Sequence, residues 1–120
     1  MGDYKTLLAY KKAFLLAIRI HSTSKTFPSE EKFGLTAQLR NSSRSVCANI
    51  AEAYKRRRYK QYFIAKLNDS EAENSETQVW LDFAFAFNYI NEKCYNDFKS
   101  ENDEVAKLIL YMIKNPEKFL

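Results

Sequence analysis

The residues best suited to chemistry form one run, Lys55-Arg56-Arg57-Arg58-Tyr59-Lys60-Gln61-Tyr62-Phe63. Five positive charges in six residues can neutralise phosphates, and Tyr59 and Tyr62 offer rings on which bases stack. Arg40 and Arg44 extend the same side of the preceding helix, so the cations read as a stripe: Arg40, Arg44, Lys55, Arg56, Arg57, Arg58 and Lys60. The plainer alternative is a solvated turn whose aromatic residues cap the core. No RRM, KH or zinc-finger signature accompanies the stripe, so only binding through shape and phosphate is expected, with RNA preferred.

Most other chemistry is excluded by residue type. His21 is the single histidine, so the two Glu-x-x-His pairs of a carboxylate-bridged di-metal bundle cannot be built. Asp69, Glu73 and Glu76 share a side of one helix and could hold a hard cation, but such carboxylates are far more often solvated or paired with arginine. Gly2 and Gly34 are the only glycines, so no glycine-rich loop exists to cradle a nucleotide phosphate. We expect no enzyme activity, no metal and no cofactor.

These residues need elements to position them. Two Gly and two Pro in 120 residues, with abundant Ala, Leu, Lys and Glu, point to long helices joined by short turns. The first is expected over residues 3–23, with Asp3 as N-cap and Leu7, Phe14 and Ile18 on the apolar face beside Leu8 and Leu15. A loop at Ser22–Phe27 precedes Pro28, and Ser29 is the best N-cap for a second helix running to about Tyr54. Gly34 marks a place for distortion. That helix buries Leu35, Leu39, Val46, Ile50 and Ala53.

The third helix, from about Tyr59 to Ile90, carries Phe63, Leu67, Ser70, Asn74, Thr77, Leu81 and Ala84 on one face. A second line contains Trp80, Phe83 and Phe87, which one hairpin neighbour cannot cover, so either the helix sits centrally in the bundle or another subunit covers that side, and a homo-oligomer is expected. A fourth helix from Glu92 to Lys114 follows Asn91 and ends at Asn115-Pro116. The result is an all-α, antiparallel up-down-up-down four-helix bundle, one domain over residues 1–120. Gln38, Asn49, Glu52 and Asn74 read as a hydrogen-bonded polar layer, structural rather than functional, within the bundle or against a neighbouring subunit.

The net charge of +4 hides opposed halves, +9 over residues 1–60 and −5 over residues 61–120. Basic and acidic helices could therefore pair within the molecule or between subunits, and a polyanion-binding surface is the sharper reading. Cys47 and Cys94 lack a CxxC partner and read as reduced thiols. No secretory leader or 18-residue apolar stretch is evident, so a cytoplasmic protein without membrane contact is expected. Gly2 and Thr6 fit an N-myristoylation pattern in form only, since Asp3, Tyr4 and Lys5 intervene, and the pattern carries little weight.

Phe27-Pro28, Glu30 to Thr36, Gln38-Leu39-Arg40, Ser45-Val46 and Asn49-Ile50-Ala51-Glu52 followed by Arg56 resemble the four-helix-bundle proteins encoded within intervening sequences of bacterial 23S rRNA genes. The resemblance covers nearly the whole chain. It implies a bacterial, non-enzymatic bundle that assembles into a ring, a homopentamer. An accessory protein of diversity-generating retroelements is similar to this group and implies a basic ring engaging nucleic acid and a reverse transcriptase. Two departures concern the turn: Ala53 stands where the family pattern has Gly, and Arg58 where it has Ser. The first implies a longer second helix; the second puts a positive charge at a helix N-terminus, which is unfavourable unless an anion compensates. The expectation is thus an oligomeric bundle whose basic surface binds RNA, and the rival is an adaptor whose basic half docks a neighbouring subunit or a protein partner.

Overall fold

The structure, a computed structural model, describes residues 3–120; Met1 and Gly2, and with them the acylation pattern, lie outside the described residues. Four helices follow one another: α1 Leu8–Ser24, α2 Leu35–Lys55, α3 Lys60–Ala86 and α4 Glu92–Lys114. Short connections make each helix antiparallel to the one before it, and α1 closes the bundle against α4. The molecule measures 44 × 25 × 20 Å, its long dimension set by the 27 residues of α3, about 40 Å at helical rise.

Helices α2 and α3 bury the lines their spacing predicts. Leu35, Leu39, Val46, Ile50 and Ala53 of α2 meet Phe63, Leu67, Leu81 and Ala84 of α3, the most extensive helix pair in the fold. The centre of this core is polar. Ser70 donates to the Val46 carbonyl at 2.8 Å and Thr77 to Ser42 Oγ at 2.9 Å, while between α3 and α4 Asn74 Nδ2 donates to Asn102 Oδ1 at 2.9 Å and Asn102 Nδ2 to the Asn74 backbone carbonyl at 3.0 Å. No buried side-chain polar atom among the described residues lacks a partner, so the layer avoids the desolvation penalty of unpaired groups.

Helix α1 departs from expectation. Its residues 4–6 form a separate 3-10 turn capped by Asp3, Leu7 is extended, and the helix starts at Leu8. The buried line is Ala9, Ala13, Leu16 and Ile20, while Leu8, Phe14, Leu15 and Ile18, expected on the core face, are exposed. Of that face only Leu7 is buried. The two alanines let α1 approach its neighbours closely, and the bulkier line faces outward.

The second helix is also shorter at its start. Ser29 opens a 3-10 turn to Glu31, and α2 begins after Gly34, where Glu31 Oε1 accepts the Leu35 amide at 3.1 Å in place of a serine cap. Its other oxygen accepts the Tyr89 hydroxyl at 2.8 Å, tying this start to the chain beyond α3. Helix α3 ends four residues before Ile90, where Asn88 adopts φ 63° and the Tyr89 amide returns to the Ala84 carbonyl, a left-handed cap that Asn tolerates. Asn91 caps α4 through the Cys94 amide, as its sequence position predicts. No helix among the described residues is long and apolar enough to cross a membrane.

Candidate nucleic-acid interface

The run from Lys55 to Lys60 is a tight turn at one end of the bundle: α2 ends at Lys55, Arg56–Tyr59 reverse the chain, and α3 starts at Lys60. Ala53 is helical and fully buried, so the absent glycine is absorbed by packing. Arg57 closes the end of α2, donating to the Tyr54 carbonyl at 2.8 Å with its guanidinium 4.0 Å from the Tyr54 ring centre. Lys55, Arg56, Arg58 and Lys60 are exposed. Arg56 lies over Tyr62 and Arg58 over Tyr59, so cations and rings are interleaved across the surface.

The N-terminus of α3 has no side-chain cap and no acidic residue in its first turn. Its free amides and the positive end of its dipole therefore point into a cluster of cations. Cations at the ends of α2 and α4 relieve the negative poles there, but those at the start of α3 have no such compensation.

Topology brings further cations to this end. The 3-10 turn of residues 4–6 packs on α2, and the one at Pro116–Lys118 packs on α3, with Phe119 folded back to Phe63 at 6.4 Å. Segments 3–12, 50–64 and 108–120 together hold ten lysines and arginines against three carboxylates, net +7 in a chain of net +4. The opposite end, residues 18–40 and 76–98, holds five against six. An asymmetry between the two ends of the bundle thus lies across the one between the halves of the sequence, which separates α1 and α2 from α3 and α4. Lys5, Lys114 and Lys118 belong to this end and were missed in the sequence, because only the pairing of helix ends reveals them.

Arg40 and Arg44 do not reach it. Arg40 is half-buried and caps α1, its Nε donating to Ser24 Oγ at 2.8 Å and its terminal nitrogen to the His21 carbonyl at 3.3 Å. Arg44 donates to His21 Nδ1 at 3.0 Å. Burial and the adjacent positive charges of Arg40 and Arg44 lower the His21 pKa, which keeps the ring neutral as an acceptor. The expected stripe thus divides into an exposed basic end and a pair of arginines beside the C-terminus of α1.

The expected polar layer divides as well. Asn74 is buried and pairs with Asn102, while Asn49 is half-buried and bonds back to the Ser45 carbonyl of its own helix. Glu52 is exposed, accepting from Tyr62 at 3.2 Å and pairing with Lys66 at 3.4 Å, which ties α2 to α3 near the basic end. Gln38 is exposed. Ser42, Thr77 and Asn102 complete the layer instead. On α3, Glu73 has its pKa raised by burial, by a hydrogen bond with Glu76 and by the charges of Glu76 and Asp69. No group of three His, Cys, Asp or Glu able to hold a metal occurs among the described residues. Burial pushes the Cys47 thiol up to about 11.

Comparison with known proteins agrees with this architecture. The family model described as 23S rRNA-intervening sequence protein matches residues 5–111. The chain is similar to a crystal structure from Bacteroides thetaiotaomicron VPI-5482, a protein with unknown function from the S23 ribosomal protein family. The two share 31% sequence identity with a TM-score of 0.81, over 89% of this chain and 96% of that one. No curated protein matches.

Proposed function

The chain belongs to the 23S rRNA-intervening sequence protein family, and from that premise we propose that it is a non-enzymatic, self-associating bundle that binds nucleic acid, RNA by preference, through its basic end. The observation that carries this reading is the net +7 end built around the uncapped start of α3. Phosphates would supply the negative charge that no carboxylate of the first turn of α3 supplies. Exposed Tyr59 and half-buried Tyr62 offer flat faces to unpaired bases. Contacts of this kind position a backbone without reading sequence, so affinity across structured RNAs should be similar at equal salt. Two unpaired cysteines are consistent with action in the bacterial cytoplasm.

The test is a salt titration of RNA affinity. Binding should weaken steeply as salt rises, and Arg56→Gln, Arg58→Gln and Lys60→Gln together should flatten the slope while leaving helicity and particle mass unchanged. An adaptor role predicts the reverse, a smaller particle for the variant and no RNA binding by the parent. Absence of binding even at low salt overturns the proposal.

A further inference from the structure

The two ends of the bundle differ in the kind of aromatic residue they carry as well as in charge. Segments 3–12, 50–64 and 108–120, which form the basic end, hold six of the eight tyrosines but only two of the nine phenylalanines. Among the described residues, five cations lie close to an aromatic ring at this end, and all five rings are tyrosines. The two such pairs elsewhere are on Phe98 and Phe33. A tyrosine joins a flat apolar face to a polar tip, so cations and tyrosines together make a wet surface that still offers rings to a partner.

Exposure divides these tyrosines by role. Tyr54 is buried under Arg57 at the end of α2, and Tyr4 is half-buried against Tyr10 with ring centres 5.0 Å apart. Tyr59 and Tyr111 are 58% and 46% exposed. Arg58 lies over Tyr59 at 5.2 Å from its ring centre, and so open a ring keeps its other face free. Lys118 donates to the Tyr111 hydroxyl at 2.9 Å and Phe119 meets the ring at a right angle, with centres 6.2 Å apart, so Tyr111 is fixed before any ligand arrives. Between them, half-buried Tyr62 is held by its hydroxyl on Glu52 and by Arg56 over its ring. Rings fixed in this way lose little freedom when a flat ligand stacks on them.

We propose that the basic end takes an unpaired RNA strand in preference to a duplex, with phosphates on Arg56, Arg58 and Lys60 and bases stacked on Tyr59 and Tyr111. The inference rests on the RNA binding proposed above and names the class of RNA that the site selects. In a duplex each base is already stacked on its neighbours, so the exposed rings would stand idle and phosphate contacts alone would hold the molecule. Phosphate contacts alone favour the duplex, because its charge is denser. Stacking reverses that order: every base of a single strand has a face to offer, and a tyrosine accepts any of them without reading sequence. Within a folded RNA the strand is a loop, a bulge or an end.

The experiment measures the affinity of the whole chain, at one salt concentration, for three RNAs of equal strand length: oligouridine, the same backbone with abasic riboses, and a duplex. Oligouridine should bind more tightly than the other two. Tyr59→Leu with Tyr111→Leu should weaken oligouridine binding by about fivefold or more for each ring lost, and leave the duplex and the abasic strand unchanged. The salt slope should stay that of the parent, since no cation has been removed. Tyr59→Phe with Tyr111→Phe keeps the rings and should bind oligouridine as the parent does, and circular dichroism checks helicity in both variants. A duplex or an abasic strand that binds as tightly as oligouridine, or a leucine variant with the parent's affinity for it, overturns the preference for an unpaired strand but leaves phosphate binding standing. Failure of all three RNAs to bind at low salt overturns both.

Discussion

At the scale of residues, identical side chains divide by what their neighbours leave open. Arg40 and Arg57 each donate to carbonyls at the end of a helix, whereas Arg56 and Arg58 face solvent from the turn. Arg40→Ala should therefore lower stability by about 1 kcal/mol, the scale of a missing cap, without changing the salt slope of RNA binding. Urea unfolding beside an RNA titration checks both halves of that statement. His21 provides a pH signature. Its folded pKa lies below the unfolded value near 6.5, so the unfolded state binds the proton first as pH falls, and stability drops through the interval beneath about 6.5. Above that interval the contribution is fully present. An NMR titration of the His21 ring should give a midpoint below that of a model peptide, and Arg44→Gln should move it upward. A midpoint at or above the peptide value would show that the Arg44 contact does not form.

At the scale of elements, α2, α3 and α4 were legible because each has one dominant buried line, and α4 has recognisable end signals as well. Phe63, Leu67, Leu81 and Ala84 of α3 follow the helical period, and Asn91 and Asn115-Pro116 bracket α4 at its observed limits. Helix α1 was misread because it is apolar on two sides. Its larger residues, Phe14, Leu15 and Ile18, suggested the core, but close packing selected the alanine line instead. The start of α2 was misread because Ser29 opens a 3-10 turn instead, and the first amide of α2 is capped by Glu31, four residues back, rather than by a serine. A Cβ on Gly34 would lie 2.9 Å from Glu31 Oε1, so Gly34→Ala should displace this cap and cost about 1 kcal/mol despite the better helix propensity of alanine. A gain in melting temperature would contradict the capping role. The polar layer has a sharper test. Asn74→Ala should cost about 1–3 kcal/mol by leaving the buried Asn102 Oδ1 without its donor, and Asn74→Leu with Asn102→Leu should recover part of that stability. Denaturant unfolding of both variants separates the two effects.

At the scale of the whole molecule, pairing of helix ends turns a modest net charge into a strongly basic end. The run Lys55–Lys60 was visible from its residue types, but Lys5, Lys114 and Lys118 lie far from it in sequence and join it only because α1 begins, and α4 ends, where α2 turns into α3. These three lysines give the central claim its most direct measurement. In the variant carrying Lys5→Gln, Lys114→Gln and Lys118→Gln, the turn itself is untouched. The slope of the logarithm of RNA affinity against the logarithm of salt concentration is measured for this variant and the parent. If the whole basic end binds phosphates, the slope should become shallower by about 0.7–0.9 for each phosphate that the variant no longer neutralises, at unchanged helicity and particle mass. A slope equal to that of the parent would contradict the account.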